Sequence, residues 1–263
     1  MSDSIQHSMY CEVQGQGQHI VMLHGWGMHG GIWGEFKKSL AKEFTVHTLD
    51  LPGFGFSNKV KHDYSLSAFS QSVEKYIESI DSPVILLGWS LGGLIALNVF
   101  KRGCVTLDKI ILIATTPCFT KKKNWSAAMD SSVFNSFSDD LKENYQKTLK
   151  RFLTLQTRGG DLTKDDLRAL NHTLNERGEP NLEALEAGLG ILSTSDLRSI
   201  HDSTMPFMVI LGEKDTLVAV EAGAEFEKMF LKNQKIVLEK TGHLPFLTHT
   251  NVCVKEIKHF INA

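Results

Sequence analysis

The chain has 263 residues, 42% hydrophobic and 22% charged, and its 28 lysines and arginines nearly balance 30 aspartates and glutamates, for a formal net charge of −2. That length suits one large domain, or a core with an inserted subdomain. The charge balance excludes a global field for nucleic acid or a membrane surface, so an acidic partner would have to meet a local patch.

The polar start, Met1 to Gln18, lacks the pattern of a signal peptide. No run of about 18 apolar residues follows, so no membrane-spanning helix is expected. The first apolar run, His19–Leu23, predicts a strand, and Trp33–Lys42 a helix. A strand at Phe44–Leu49, a helix at Leu66–Ile80, a strand at Val84–Leu87 and a helix at Leu91–Lys101 continue the alternation, and Lys109–Ala114 predicts a further strand. Between about Cys118 and Ser193 the pattern is helical, with no buried-strand run, and the stretch is too long for a plain connection. Strand-like sequence resumes at Phe207–Leu211, followed by a helix at Val220–Phe230, a strand at Lys235–Leu238 and a helix at Asn251–Asn262. Most runs are rich in Val, Ile and Leu without strict alternation, as buried parallel strands are. The expected fold class is α/β: a mostly parallel central sheet flanked by helices. Residues 1–117 and 194–263 would form the core, and 118–193 an inserted helical cap. The scattered cysteines Cys11, Cys104, Cys118 and Cys253 read as reduced thiols of a cytoplasmic protein. No metal constellation or phosphate-binding glycine loop is present, and neither a metal nor a cofactor is expected.

Gly88-Trp89-Ser90-Leu91-Gly92 places a G-x-S-x-G pentapeptide between a predicted strand and a predicted helix, the context that makes Ser90 a nucleophile. A serine hydroxyl needs a base to take its proton. Gly242-His243, in the loop after the last strand, supplies it. The acid should follow the strand Phe207–Leu211. There Gly212-Glu213-Lys214-Asp215 offers Asp215, with Glu213 as its rival. Asp50 also follows a strand but precedes the serine, so it is assigned to loop organisation. His24-Gly25-Trp26-Gly27 follows the first predicted strand, and the backbone N–H groups of Leu91 and Trp26 are the expected oxyanion donors. Trp26 and Trp89 are expected to wall the pocket. Phe152 is placed at its entrance or in the core of the cap.

These residues together resemble the α/β-hydrolase superfamily. His24-Gly25-Trp26-Gly27, Asp50-Leu51-Pro52-Gly53-Phe54-Gly55, Gly88-Trp89-Ser90-Leu91-Gly92-Gly93, Pro117-Cys118-Phe119 and Arg151-Phe152-Leu153-Thr154-Leu155-Gln156-Thr157 are similar to the pimeloyl-[acyl-carrier protein] methyl ester esterases of biotin synthesis. The resemblance implies a serine carboxylesterase that frees the pimeloyl carboxylate and methanol. Its substrate would ride on an acidic carrier protein, with no nucleic acid, no membrane and no second copy of the chain required. It also implies a docking face on the cap at Lys147, Arg151, Lys164 and Arg168, each pair spaced i, i+4. Two of the four are lysines, which keeps the charge but weakens bidentate recognition. A broad carboxylesterase acting on short free esters would carry the same triad and remains the alternative. A signalling protein on the same scaffold would need a vestigial one.

Overall fold

A computed structural model describes residues 9–59, 63–158, 160 and 162–263. Strand β1 (Cys11–Gln14) is followed by β2 (His19–Leu23), helix α1 (Gly34–Leu40) and β3 (Thr45–Leu49). Then come α2 (Leu66–Glu78), β4 (Val84–Trp89), α3 (Leu91–Lys101) and β5 (Leu107–Ile113). Helices α4 (Ser131–Glu143), α5 (Tyr145–Gln156), α6 (Lys164–Glu176) and α7 (Leu182–Thr194) all fall between β5 and β6 (Phe207–Gly212). The chain closes with α8 (Ala222–Met229), β7 (Asn233–Leu238), the single turn α9 (Pro245–Thr248) and α10 (Thr250–Asn262).

The strands form one seven-stranded sheet in the order β1-β3-β2-β4-β5-β6-β7, parallel except for β1. Alternate residues along each central strand feed two separate cores. Val21, Leu86, Leu112 and Val209 face the layer that holds α2 and α3. Ile20, Met22, Ile85, Ile111 and Ile210 face the layer that holds α1 and α10. Both faces of the sheet are therefore apolar, and a period-2 element reads as a continuous hydrophobic run.

The sequence gives no warning of β1. Its residues Cys11, Glu12, Val13 and Gln14 pair with only one neighbour at the sheet edge, and Val13 faces solvent. A half-exposed edge strand of four residues has no apolar signature. Helix ends carry recognisable caps. Ser65 accepts the Ala68 N–H at 3.1 Å, and Thr163 with Asp166 forms a reciprocal capping box.

The four inserted helices leave and rejoin the sheet at one point. The Ala114 N–H donates to the Ile210 carbonyl at 2.9 Å, and the Leu197 N–H to the Pro117 carbonyl at 2.9 Å. Two short bridges, Thr120 with Met129 and Lys122 with Trp125, shape the segment that leads into α4. No helix among the described residues is long and apolar enough to cross a membrane.

Candidate active site

The turn after β4 carries Ser90 at φ 55° and ψ −117°, a conformation that L-residues avoid. The surroundings force it. A Cβ on Gly88 would lie 2.4 Å from the Gly92 carbonyl oxygen, and one on Gly92 would lie 2.3 Å from that of Leu23. Only glycine permits so tight a crossing of strand and helix. The Ser90 N–H donates to the Ile113 carbonyl at 3.1 Å, and the Thr115 hydroxyl donates to the Ser90 carbonyl at 2.8 Å. The backbone is thus clamped from the neighbouring strand while the side chain stands free of it.

Ser90 Oγ lies 3.0 Å from His243 Nε2, and His243 Nδ1 lies 2.8 Å from Asp215 Oδ2. A carboxylate only accepts, so Nδ1 carries the proton and donates it to Asp215. Nε2 then presents a lone pair to the serine hydroxyl. Asp215 Oδ1 accepts the N–H groups of Leu217 at 2.8 Å and Val218 at 3.1 Å, which fixes the carboxylate plane. The imidazole is held from its backbone as well: the Trp89 indole N–H donates to the His243 carbonyl at 2.9 Å. Ser90 and His243 are 2% and 1% exposed, so the site is covered.

Glu213 points elsewhere. Its carboxylate accepts the Lys240 N–H at 3.0 Å and pairs with Lys214 at 3.4 Å. That backbone hydrogen bond, with help from Lys214, holds its pKa below the ordinary glutamate value. Of the two carboxylates weighed from sequence, only Asp215 meets the histidine.

Leu91 is the first residue of α3, where an N–H has no partner within the helix. Among the described residues, neither its N–H nor that of Trp26 finds an acceptor. Both are the groups expected to receive an oxyanion. The loop that carries Trp26 is built by His24. Its Nε2 accepts the Leu51 N–H at 3.0 Å, and its Nδ1–H donates to the Gly25 carbonyl at 2.9 Å. Gly25 must stay bare, since a Cβ there would lie 2.9 Å from the Trp89 ring.

Complete burial drives the His24 pKa down to about 4, and burial beside His19 does the same for His47. Both are neutral in the folded protein and protonate near 6.5 when unfolded. The unfolded chain therefore binds more protons between about pH 4 and 6.5, and stability falls as pH drops through that window. Calorimetry at about pH 5.3 should find uptake of about two protons on unfolding from this pair, and uptake below about half a proton would contradict the assignment.

The remaining site residues fall as follows. Trp26 is buried, donates its indole N–H to the Leu185 carbonyl at 2.8 Å, and stacks edge-on against Phe152 with centroids 4.7 Å apart. Phe152 also meets Phe137 at 5.2 Å and is buried, so it belongs to the core of the inserted helices, where they touch the loop of Trp26. Trp89 packs behind the histidine, against Phe246 and Trp33. It supports His243 and is fully buried, rather than presenting an open wall.

Lys147 and Arg151 stand exposed on α5, joined there by exposed Lys150 and by Arg158 just beyond its end. Arg151 pairs with Asp140 of α4 and lies over the Phe137 ring at 4.8 Å. Arg168 is exposed on α6 and pairs with Asp165 at 2.9 Å. The side chain of Lys164, the first residue of α6, lies outside the described residues. The first turn of α6 also carries Asp165 and Asp166, so α5 is the more basic of the two helices.

Sequence reasoning missed Gln156. It is 1% exposed, one turn beyond Phe152 on the buried face of α5, and neither amide atom has a partner among the described residues. A buried amide with both ends unpaired is costly, and a polar ligand would relieve it. The only signal in the sequence was a glutamine on the apolar stripe of a helix.

The model of the alpha/beta hydrolase fold family matches residues 18–250. A pimeloyl-[acyl-carrier protein] methyl ester esterase of Nitrosospira multiformis is 37% identical over 259 residues, covering 97% of this chain and 98% of the relative. One of the same name from Aeromonas hydrophila is 36% identical over 256 residues, covering 97% and 99%. Among solved structures, an esterase from Exiguobacterium antarcticum superposes with a TM-score of 0.87 at 22% identity, covering 97% of this chain and 96% of the other. A bromoperoxidase from Bacillus anthracis reaches the same TM-score at 20% identity, covering 97% and 95%, so likeness at this distance shows the fold alone.

Proposed function

The chain belongs to the α/β-hydrolase fold family and, within it, to the pimeloyl-[acyl-carrier protein] methyl ester esterases, and on that premise we infer that it hydrolyses the methyl ester of a carrier-bound pimeloyl group. The observation that carries the chemistry is the unbroken chain from Ser90 Oγ through His243 to Asp215.

Ser90 Oγ attacks the ester carbonyl carbon while His243 Nε2 takes its proton. The carbonyl oxygen becomes an oxyanion, held by the N–H groups of Leu91 and Trp26. Collapse of the tetrahedral intermediate breaks the bond to the methoxy oxygen, and His243 returns the proton to form methanol. Water then gives a proton to His243 and attacks the acyl-serine. The free carboxylic acid leaves, and the proton returns to Ser90. Asp215 holds the imidazole and stabilises its cationic form without taking the proton. Phe152, from α5, lies where the inserted helices meet the loop of Trp26, and with the buried amide of Gln156, unpaired among the described residues and one turn further along the same helix, it makes the acyl-chain contacts of this reading. The reaction belongs to the cytoplasm and needs neither metal nor cofactor.

The test is release of methanol from the methyl ester of a pimeloyl-carrier protein by the purified chain. It is paired with rescue of biotin-free growth in a host that lacks its own methyl esterase. Wild type should do both and Ser90→Ala neither. Hydrolysis of short free esters with no action on the carrier-bound ester would favour a broad carboxylesterase instead.

The exposed lysines and arginine of α5 are the proposed dock for an acidic carrier, since charge attraction there survives the near-neutral total. Reversing Lys147 and Arg151 to glutamate is expected to lower kcat/KM for the carrier-bound ester by about tenfold or more, and that loss should shrink with added salt. Hydrolysis of a small free ester should change by less than about twofold. Equal losses on both substrates would remove the docking role.

A further inference from the structure

We propose that Arg177, the residue that ends α6, is a positioning residue for the oxyanion loop and acts on it through Asp50. The proposal rests on the esterase reading above. Asp50 is fully buried, and both its oxygens already serve the backbone. The Gly30 N–H donates to Oδ1 at 2.7 Å, and the Phe56 N–H donates to Oδ2 at 2.8 Å. Arg177 adds its Nη1 to the same Oδ1 at 2.9 Å. Its other terminal nitrogen reaches the Glu12 carboxylate on β1, which Lys37 also holds at 2.6 Å. The guanidinium lies over the rings of Tyr10 and Phe56, each 5.3 Å from its carbon.

One carboxylate oxygen therefore joins two things the sequence keeps far apart: the inserted helices, through Arg177, and the loop that begins at His24, through Gly30. That loop is held by the insertion a second time. His29 Nδ1 accepts the Gly31 N–H at 3.1 Å, so its Nε2–H donates to the Thr173 carbonyl of α6 at 2.7 Å. At its other end His24 fixes the Gly25 carbonyl, next to the Trp26 N–H. Room for adjustment is small. A Cβ on Gly30 would lie 3.0 Å from Asp50 Oδ1, and one on Gly27 would lie 2.7 Å from Leu149 of α5. When Arg177 is seated, Asp50 holds Gly30 in place and, on this proposal, the loop keeps the Trp26 N–H set for the oxyanion. When it is not, Asp50 loses the one side-chain cation that it meets among the described residues, and the loop loses its register.

A plain structural tie between insertion and core would look similar in a melting curve, so the test reads the transition state. Arg177→Met and Arg177→Lys are compared with Asn58→Ala. Asn58 also ties the core to the insertion, at the connection between α6 and α7, through the Glu179 carbonyl at 3.1 Å, and among the described residues none of its hydrogen bonds goes to the loop. Activity on a small free methyl ester is normalised to the number of Ser90 sites titrated by a fluorophosphonate. Binding of a short-chain alkyl trifluoromethyl ketone, which forms a charged oxyanion on Ser90, is measured alongside. Arg177→Met is expected to lower kcat by about 10- to 100-fold with KM within about twofold, the mark of a misplaced catalytic group. Ketone affinity should weaken by the same factor. Arg177→Lys, which can reach one carboxylate but not both, should recover part of each loss. Asn58→Ala should change neither. The proposal is overturned if KM rises while kcat per site holds, or if ketone affinity is unchanged. Should Arg177→Met fail to fold, Arg177→Lys decides: kcat and ketone affinity both at wild-type level overturn it. A wild-type chain without Ser90-dependent labelling would instead overturn the esterase reading itself, and this proposal with it.

Discussion

Ser90→Ala is expected to lower kcat by about 10⁶-fold, and His243→Ala by a similar factor, with the double variant no worse than either alone. The reason lies in the geometry. Among the described residues the Ser90 hydroxyl meets one proton acceptor, His243 Nε2 at 3.0 Å, and that nitrogen is useful only with the hydroxyl before it. Each group works through the other, so removing the second costs nothing further. A residual rate of about 10³–10⁴ over water should survive, supplied by the Leu91 and Trp26 N–H groups and by substrate binding. The fold should survive too, because the backbone of Ser90 is clamped by Ile113 and Thr115, not by its own side chain. Single-turnover kinetics with a chromogenic ester measure all three variants. Additive losses would mean that the two residues serve separate steps.

Asp215→Asn carries the second-largest expectation, a fall in kcat of about 10⁴-fold. An asparagine fills the same space, but its amide nitrogen can face His243 Nδ1 as a donor. The imidazole would then place its proton on Nε2, where the serine proton must go. Glu213→Gln serves as the control, since that side chain accepts from the Lys240 backbone 27 residues away and never meets the imidazole. Its kcat should stay within about twofold of wild type. A large loss at Glu213 and a small one at Asp215 would reverse the choice of acid.

Most of this site is legible in the sequence. Ser90, Asp215 and His243 each follow an apolar run, so the strand ends that carry them could be counted along the chain. The sequence favoured Asp215 over Glu213, but only one loop residue, Lys214, separates them, and it is the fold of that loop that aims Asp215 at the histidine. The sheet was legible where strands are buried on both faces, as in β4 and β6, and not at β1, which has one neighbour and a wet side. Arg177 and Gln156 were not legible for a related reason. Arg177 matters through contacts of long sequence separation, which no local pattern encodes, and Gln156 through a missing partner, which a glutamine on an apolar stripe hints at without showing. The role of Phe152 shifted likewise. A phenylalanine on a helical stripe fits a pocket mouth or a core equally well, and its stacking on Trp26 places it at the seam between them.

The single neck of the insertion, where Ala114 meets Ile210 and Pro117 meets Leu197, bears on how such enzymes can diversify. A segment that departs and returns at one spot can be exchanged without stretching the scaffold, because the distance to be closed stays the same whatever its length. Helices at this position are therefore transplantable parts. A chimera could take its substrate choice from the donor and its reaction from the host. Among the contacts a transplant must match, one is a charge rule. A grafted segment that brings an arginine at position 177 needs a recipient with Asp50 and Glu12, and a recipient with Asp50 needs a donor that supplies the cation.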